Sequence, residues 1–230
     1  MVIGEAEIDA STPALPPGTL NAVTVTNPGS STQKPHVSAT LAQGFLADFL
    51  DVPQGDIFHS YVETVFRNGI TAGCGGGLYC RNNPVTRAQM AVFLLKGLLG
   101  SSYIPPAATG AIFADVHIGD FAADWIEDLY NRGITGGCGN GNYCPGSPVT
   151  RQQMAVFLLK TEHGSSYTPP NCLGVFDDVA CPSTFADWIE QLYAEGITGG
   201  CSTNPLLYCP IASNTRGQMA VFLTKTLSLP

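Results

Sequence analysis

Pro148-Val149-Thr150-Arg151-Gln152-Gln153-Met154-Ala155-Val156-Phe157-Leu158-Leu159 decides the fold. Thr150 with Gln153 three residues later is a capping box, the reciprocal pairing that opens a helix. The run behind it, Met154 to Leu158, is apolar on every side, and a short helix of that kind has to be buried. The same stretch stands at Thr86 to Leu94 and at Thr215 to Leu223, with Gln89 and Gln218 in the place of Gln153. Three such helices can pack on one another as a central bundle.

Working outward, the rest of the chain repeats with them. Gly69-Ile70-Thr71 returns as Gly133-Ile134-Thr135 and Gly196-Ile197-Thr198. A Phe-x-Asp-Val opening stands at Phe49 to Val52, Phe113 to Val116 and Phe176 to Val179. The spacers match as well, Gly100-Ser-Ser-Tyr103 against Gly164-Ser-Ser-Tyr167, each with a Pro-Pro pair two residues on. Three units follow, at residues 45–100, 112–164 and 175–230. Each opens with a helix, Ala122 to Arg132 in the second. Trp125, Ile126, Leu129 and Tyr130 share one face at helical spacing, with Glu127, Asp128 and Asn131 opposite. Gly133 ends it as a left-handed C′ residue, and Ile134 turns back to the core. Trp125 and Trp188 fit the buried face, where the first unit has Tyr61; an aromatic face for a sugar is the alternative.

Residues 1–44 are of another kind. Val23-Thr24-Val25-Thr26 alternates and Asn27-Pro28-Gly29 is a turn, so a β-strand is expected, with a second at Met1 to Asp9. Two or three strands do not make a stable sandwich alone. Met1-Val2-Ile3-Gly4-Glu5 lacks the basic start and long apolar run of a secretory signal.

Composition removes several classes of function. Eighteen acidic against ten basic residues give a formal charge of −8, which suits neither nucleic acid nor anionic lipid. The longest apolar stretches, such as Met90 to Leu95, are too short to span a bilayer. The eight cysteines fall into local pairs, Cys74 with Cys80, Cys138 with Cys144, Cys172 with Cys181 and Cys201 with Cys209. Close pairs in even number point to disulfides and an oxidising compartment. No pair has the short spacing of a zinc site and no histidine stands beside one, so no metal is expected.

The ordered motifs Phe-x-Asp-Val, Ile-Glu-x-Leu-x-x-x-Gly-Ile-Thr-x-Gly and Pro-Val-Thr-Arg-x-Gln-Met-Ala, clearest in the second unit, resemble the S-layer homology repeats of bacterial surface proteins. The resemblance covers about 185 of the 230 residues. It implies a mainly α-helical fold of three helix–loop–helix repeats, arranged with pseudo-threefold symmetry about a central bundle, here preceded by the small β segment. It also implies grooves between repeats that bind cell-wall polysaccharide, often pyruvylated, on the outside of a bacterial cell. The family's Thr-Arg-Ala-Glu motif puts an arginine in each groove, and Arg87, Arg151 and Arg216 hold that position. Gln89, Gln153 and Gln218 replace its glutamate, and Asn214 stands where the other units have Val85 and Val149. Gly18 to Gly29 resemble the last strands of an IPT/TIG immunoglobulin-like domain, of which about half is present.

The arginines also carry a reading of their own. Each opens a helix, where free backbone N–H groups suit an anion, and guanidinium binds carboxylate through two hydrogen bonds. A pyruvate ketal supplies such a carboxylate. Alternatively each arginine pairs with Asp51, Asp115 or Asp178 and only ties the module together. No histidine recurs in a motif, and there is no nucleophile elbow, phosphate loop or cofactor motif, so a non-catalytic protein without a cofactor is expected. Two functions remain. One is an anchor to the wall. The other is a homo-oligomeric layer or filament, built by strand pairing of residues 1–44 with a neighbouring subunit.

Overall fold

The computed structural model describes residues 49–230. The strands expected in residues 1–44, their immunoglobulin-like resemblance and the edge on which self-assembly rests lie outside the described residues. The fold is mainly helical: α1 (His59–Arg67), α2 (Arg87–Leu99), α3 (Ala123–Asn131), α4 (Arg151–His163), α5 (Ala186–Ala194) and α6 (Arg216–Thr226). Among the described residues the β structure is a short antiparallel hairpin, β1 (Ser202–Thr203) and β2 (Leu206–Leu207), with a few isolated bridges. The small β element among the described residues lies toward the C-terminus, in the third unit's cysteine loop.

Local chemistry sets the helix ends. Thr86, Thr150 and Thr215 are the N-caps of α2, α4 and α6, each with a complete capping box to Gln89, Gln153 and Gln218. At the other boundary Gly133 adopts φ 70°, Ile134 N–H bonds back to the Leu129 carbonyl, and Gly133 N–H bonds to that of Tyr130. This is a Schellman motif, which needs the left-handed conformation at C′ that glycine takes without strain. Gly69-Ile70 and Gly196-Ile197 repeat it.

The helices pair across units. Each second helix packs on the first helix of the following unit: α2 on α3, α4 on α5, and α6 back on α1. The backbones of the two helices of one sequence unit make no such close approach. The inner helices α2, α4 and α6 contact one another and bury Met90, Leu94, Met154, Leu158, Met219 and Leu223. This is the central bundle that their all-round apolar sequence requires. Because α1 closes on α6, the packing forms a ring in which each unit is completed by another.

At the centre the ring is closed a second time by backbone. Val85 N–H donates to the Asn214 carbonyl, Asn214 N–H to that of Val149, and Val149 N–H to that of Val85, each at 2.9 Å. All three residues are fully buried. Two corners are apolar, but neither amide atom of the Asn214 side chain has a hydrogen-bond partner. An unsatisfied buried amide is destabilising.

One expectation is corrected. Glu127 and Asp128 are buried and do not form a solvent face of α3. The spacer before the helix folds over them: Glu127 accepts from the backbone N–H groups of Thr109 and Gly110 and from the Thr109 hydroxyl. Asp128 accepts from the Tyr103 hydroxyl and from Arg132. Glu190 does the same for Leu173, Gly174 and Val175. Periodicity places carboxylates outward by default, and here an extended segment rich in unpaired N–H groups recruits them inward.

Restoring the third apolar corner with Asn214→Val should stabilise the protein by about 1–2 kcal/mol. The check is the urea midpoint at unchanged slope; a lower midpoint would show that the amide contributes to the ring.

Candidate functional site

The structure brings together the arginines and aspartates expected from sequence, through residues that the sequence reading did not select. Arg87 lies beneath the α2 N-terminus and is 4% exposed. Its Nε–H donates to the Tyr143 carbonyl at 2.7 Å, and the Tyr143 hydroxyl donates to the Arg87 carbonyl at 2.8 Å. The guanidinium stands 4.8 Å from the centre of the Tyr143 ring and 5.4 Å from that of Phe157 on α4. Arg151 makes the same exchange with Tyr208 and lies over Phe222. Arg216 makes it with Tyr79 and lies over Phe93. Each arginine is therefore held by the next unit, and the third returns to the first.

The aspartates stand at the other end of the same tyrosines. Asp115 accepts the backbone N–H groups of Tyr143 and Cys144, Asp178 those of Tyr208 and Cys209, and Asp51 those of Tyr79 and Arg81. Among the described residues no direct ion pair joins these arginines to these aspartates. The two charges meet through one tyrosine's main chain, and Arg87 faces Asp115 of the following unit instead of Asp51 of its own. Three cysteine loops, closed by Cys74–Cys80, Cys138–Cys144 and Cys201–Cys209, carry the tyrosines, and a fourth disulfide, Cys172–Cys181, closes the segment before α5.

Electrostatics follow from burial. Loss of solvent lowers the pKa of all three arginines, offset in part by the facing tyrosine and aspartate. Guanidinium is basic enough to stay charged regardless. Burial pushes the Tyr79 hydroxyl up to about 12, and Tyr143 and Tyr208 higher still. Burial also pushes Asp51 up, but the peptide N–H groups of Tyr79, Arg81 and Cys80 outweigh it and leave the carboxyl below its usual range.

The helix N-termini do not offer the free donors that the sequence reading assigned to an anion. Arg87 N–H bonds to the Ser147 carbonyl, Ala88 N–H to that of Pro145, and Gln89 N–H to Thr86 Oγ1. α4 and α6 are capped in the same way by the next unit's loop. Some side-chain donors are left over. Nη2 of Arg87 and of Arg151 is buried without a partner, whereas that of Arg216 donates to Thr71 Oγ1. The missed signal was the dipeptide Tyr-Cys, at Tyr79, Tyr143 and Tyr208.

Beside Arg87, whose chain neighbours Thr86 and Ala88 line it, the surface opens into a cleft of about 280 Å³ between the α2 N-terminus and the second unit. Val116, Asp120, Phe121, Ile126 and Gly146 also line it. Phe121 is 69% exposed. The backbone N–H and ring of His117 hold Asp120 below the usual carboxylate range. At the α6 end the corresponding space is taken by Phe58, whose ring would lie 2.7 Å from a Cβ added to Gly217. Ala122 and Ala88 occupy those two places beside the cleft. Trp125 and Trp188 are half-buried, each meeting the tyrosine of its spacer edge-on, Tyr103 and Tyr167.

No helix among the described residues is long and apolar enough to cross a membrane. The S-layer homology domain family matches residues 48–91 and 112–155, the first two units. The chain is 29% identical over 198 residues to a "Cell surface protein" of Thermoanaerobacter kivui, covering 84% of this chain and 23% of that protein. It is 26% identical over 186 residues to an "Endoglucanase" of Bacillus sp. (strain KSM-635), covering 78% and 18%. It is 29% identical over 168 residues to "Exoglucanase XynX" of Acetivibrio thermocellus, covering 70% and 14%. The chain thus spans less than a quarter of each of these relatives.

Two outcomes are expected. Tyr143→Phe should cost about 1 kcal/mol, since the Arg87 carbonyl sits in a helix and keeps its other partner, while Arg151→Met should cost about 1.5–3 kcal/mol by removing a charged buried donor. Denaturant unfolding measures both, and equal effects would contradict the exchange. The depressed Asp51 carboxyl contributes stability that is complete above its unfolded value of 3.8 and is lost as pH falls through the lower folded value. Melting temperature should therefore fall below about pH 4, and Asp51→Asn should flatten that fall.

Proposed function

With two units matching the S-layer homology domain family, we propose that this chain is a non-catalytic anchor that attaches a protein to the bacterial cell envelope by binding wall polysaccharide between its units. The observation that carries this is the cleft beside Arg87, which lies between the two matched units. It has the chemistry of a sugar site: an exposed aromatic ring, Phe121, for the apolar face of a pyranose, and an ionised carboxylate, Asp120, for its hydroxyls. The relatives support the assignment. A cell surface protein, an endoglucanase and an exoglucanase resemble this segment over a small part of their length, as expected of an attachment module independent of what it attaches. Four disulfides suit an extracellular location.

The arginines enter the proposal from inside. Arg87 stands between the wall residues Thr86 and Ala88 and supports the cleft from inside; its Nη2, like that of Arg151, is buried and partnerless, so a ligand carboxylate such as a pyruvate ketal would reach it only if the wall yields. Thr71 occupies the equivalent donor of Arg216, and Phe58 fills the space beside it, so the groove between the third and first units is the weak one. Asp51, Asp115 and Asp178 serve binding indirectly, by holding the tyrosine loops. We assign the third unit to the same repeat, as the partner that completes the ring.

An arginine-to-alanine variant would test folding and binding at once. Gly146→Trp is cleaner, because Gly146 lines the cleft and a Cβ added there meets nothing within 4 Å, so the ring adds bulk at the cleft wall. The wild type should sediment with cell walls that carry their secondary polysaccharide. Gly146→Trp and Phe121→Ala should bind at least about tenfold more weakly, a loss of about 1.4 kcal/mol, at unchanged melting temperature. Equal sedimentation with walls stripped of the polymer, or full binding by Gly146→Trp, would refute the reading.

A further inference from the structure

α4 runs from the arginine ring to the opposite end of the molecule, about 18 Å along its axis. There its last two residues, Glu162 and His163, meet Glu195, the C-cap of α5. One ligand atom from each of the three side chains lies within 4.8 Å of the others. His163 Nε2 is 2.9 Å from Glu195 Oε1 and 4.0 Å from Glu162 Oε2. These separations bracket the edge of a coordination polyhedron with bonds near 2.0–2.1 Å, roughly 3.3 Å for a tetrahedral ion.

The side chains are fixed from behind. The Tyr167 ring packs on the His163 imidazole with centroids 4.3 Å apart. Gln191 Nε2–H donates to Glu195 Oε1 at 2.6 Å. Outer contacts of this type orient metal ligands. Glu195 Oε2 is buried and has no partner, an acceptor turned away from water with nothing to accept. The C-terminal ends of two helices converge on the cluster, and both favour a positive charge. The two corresponding positions are Leu98 and Leu99 at the end of α2 and Leu227 and Ser228 just after α6, so the cluster belongs to the α4–α5 pair alone.

We propose that Glu162, His163 and Glu195 form a surface site for a divalent transition-metal ion of the zinc type. Two carboxylates and one neutral imidazole balance its charge. The imidazole excludes calcium, which takes oxygen ligands. The three side chains remain about one-fifth to one-third exposed, which leaves a coordination position open to solvent. The site ties α4 to α5 at the tip of the prong that they share, and it does not depend on the anchor reading.

The test is calorimetric titration of the full disulfide-bonded chain, freed of metal with chelator, using zinc chloride and, separately, calcium chloride. Zinc should bind with a stoichiometry of one and calcium should not. His163→Ala and Glu195→Gln should each weaken zinc at least about tenfold, and His117→Ala, at the exposed contact of His117 with Asp120, should leave it unchanged. In the wild type, zinc should shift the His163 ring resonances in an NMR titration, a readout that needs no variant. Absence of saturable zinc binding, tight binding retained by both variants, or an unmoved His163 would overturn the proposal.

Discussion

Three buried guanidinium groups depend on tyrosines that their own units do not supply. Arg87, Arg151 and Arg216 each give Nε–H to a carbonyl, and take a hydroxyl, from the next unit round the ring. A charge taken from water without a partner is strongly destabilising. No single unit can therefore bury its own inner helix and remain satisfied. The outer helices follow the same rule, since α3 packs on α2, α5 on α4, and α1 on α6. In an open solenoid the terminal repeats need caps. Here the first and last units cap each other, and both edges disappear.

Much of this was written in the chain. The three capping boxes, the Gly-Ile helix ends, the all-apolar inner helices and the local cysteine pairs each rest on residues within a few positions of one another, which is the range at which sequence patterns act. The cross-unit pairing was not visible, because a repeat motif says that Arg87 and Tyr79 recur but not that Arg87 meets Tyr143. The burial of Glu127 and Glu190 was also hidden. It depends on spacer N–H groups some 15 to 18 residues away, and periodicity has no way to register them. The aspartates of the Phe-x-Asp-Val motif were found by sequence for one reason and hold loops for another.

The departures from symmetry carry the functional content. Ala122, Phe58 and Phe185 occupy one repeated position, and Ala88, Gly217 and Gln152 another. Small residues at both places leave the cleft beside Arg87, while an aromatic ring closes the space beside Arg216. The ring thus keeps the scaffold constant while single substitutions decide which groove is open and which is filled. Asn214, the polar corner at the centre, lies in the unit that departs most from the family pattern, and it weakens the scaffold where that unit joins the others.

The central claim is that the three units stand or fall together because each is completed by its neighbour. Native-state hydrogen exchange at the Val85, Val149 and Asn214 amides tests it most directly, since these three N–H groups form the closed triangle. All three should exchange only through global unfolding, with one common free energy equal to that from denaturant. An Asn214 amide that exchanges through a smaller opening, while Val85 and Val149 stay protected, would mean that the third unit opens alone and that the ring is not the cooperative element.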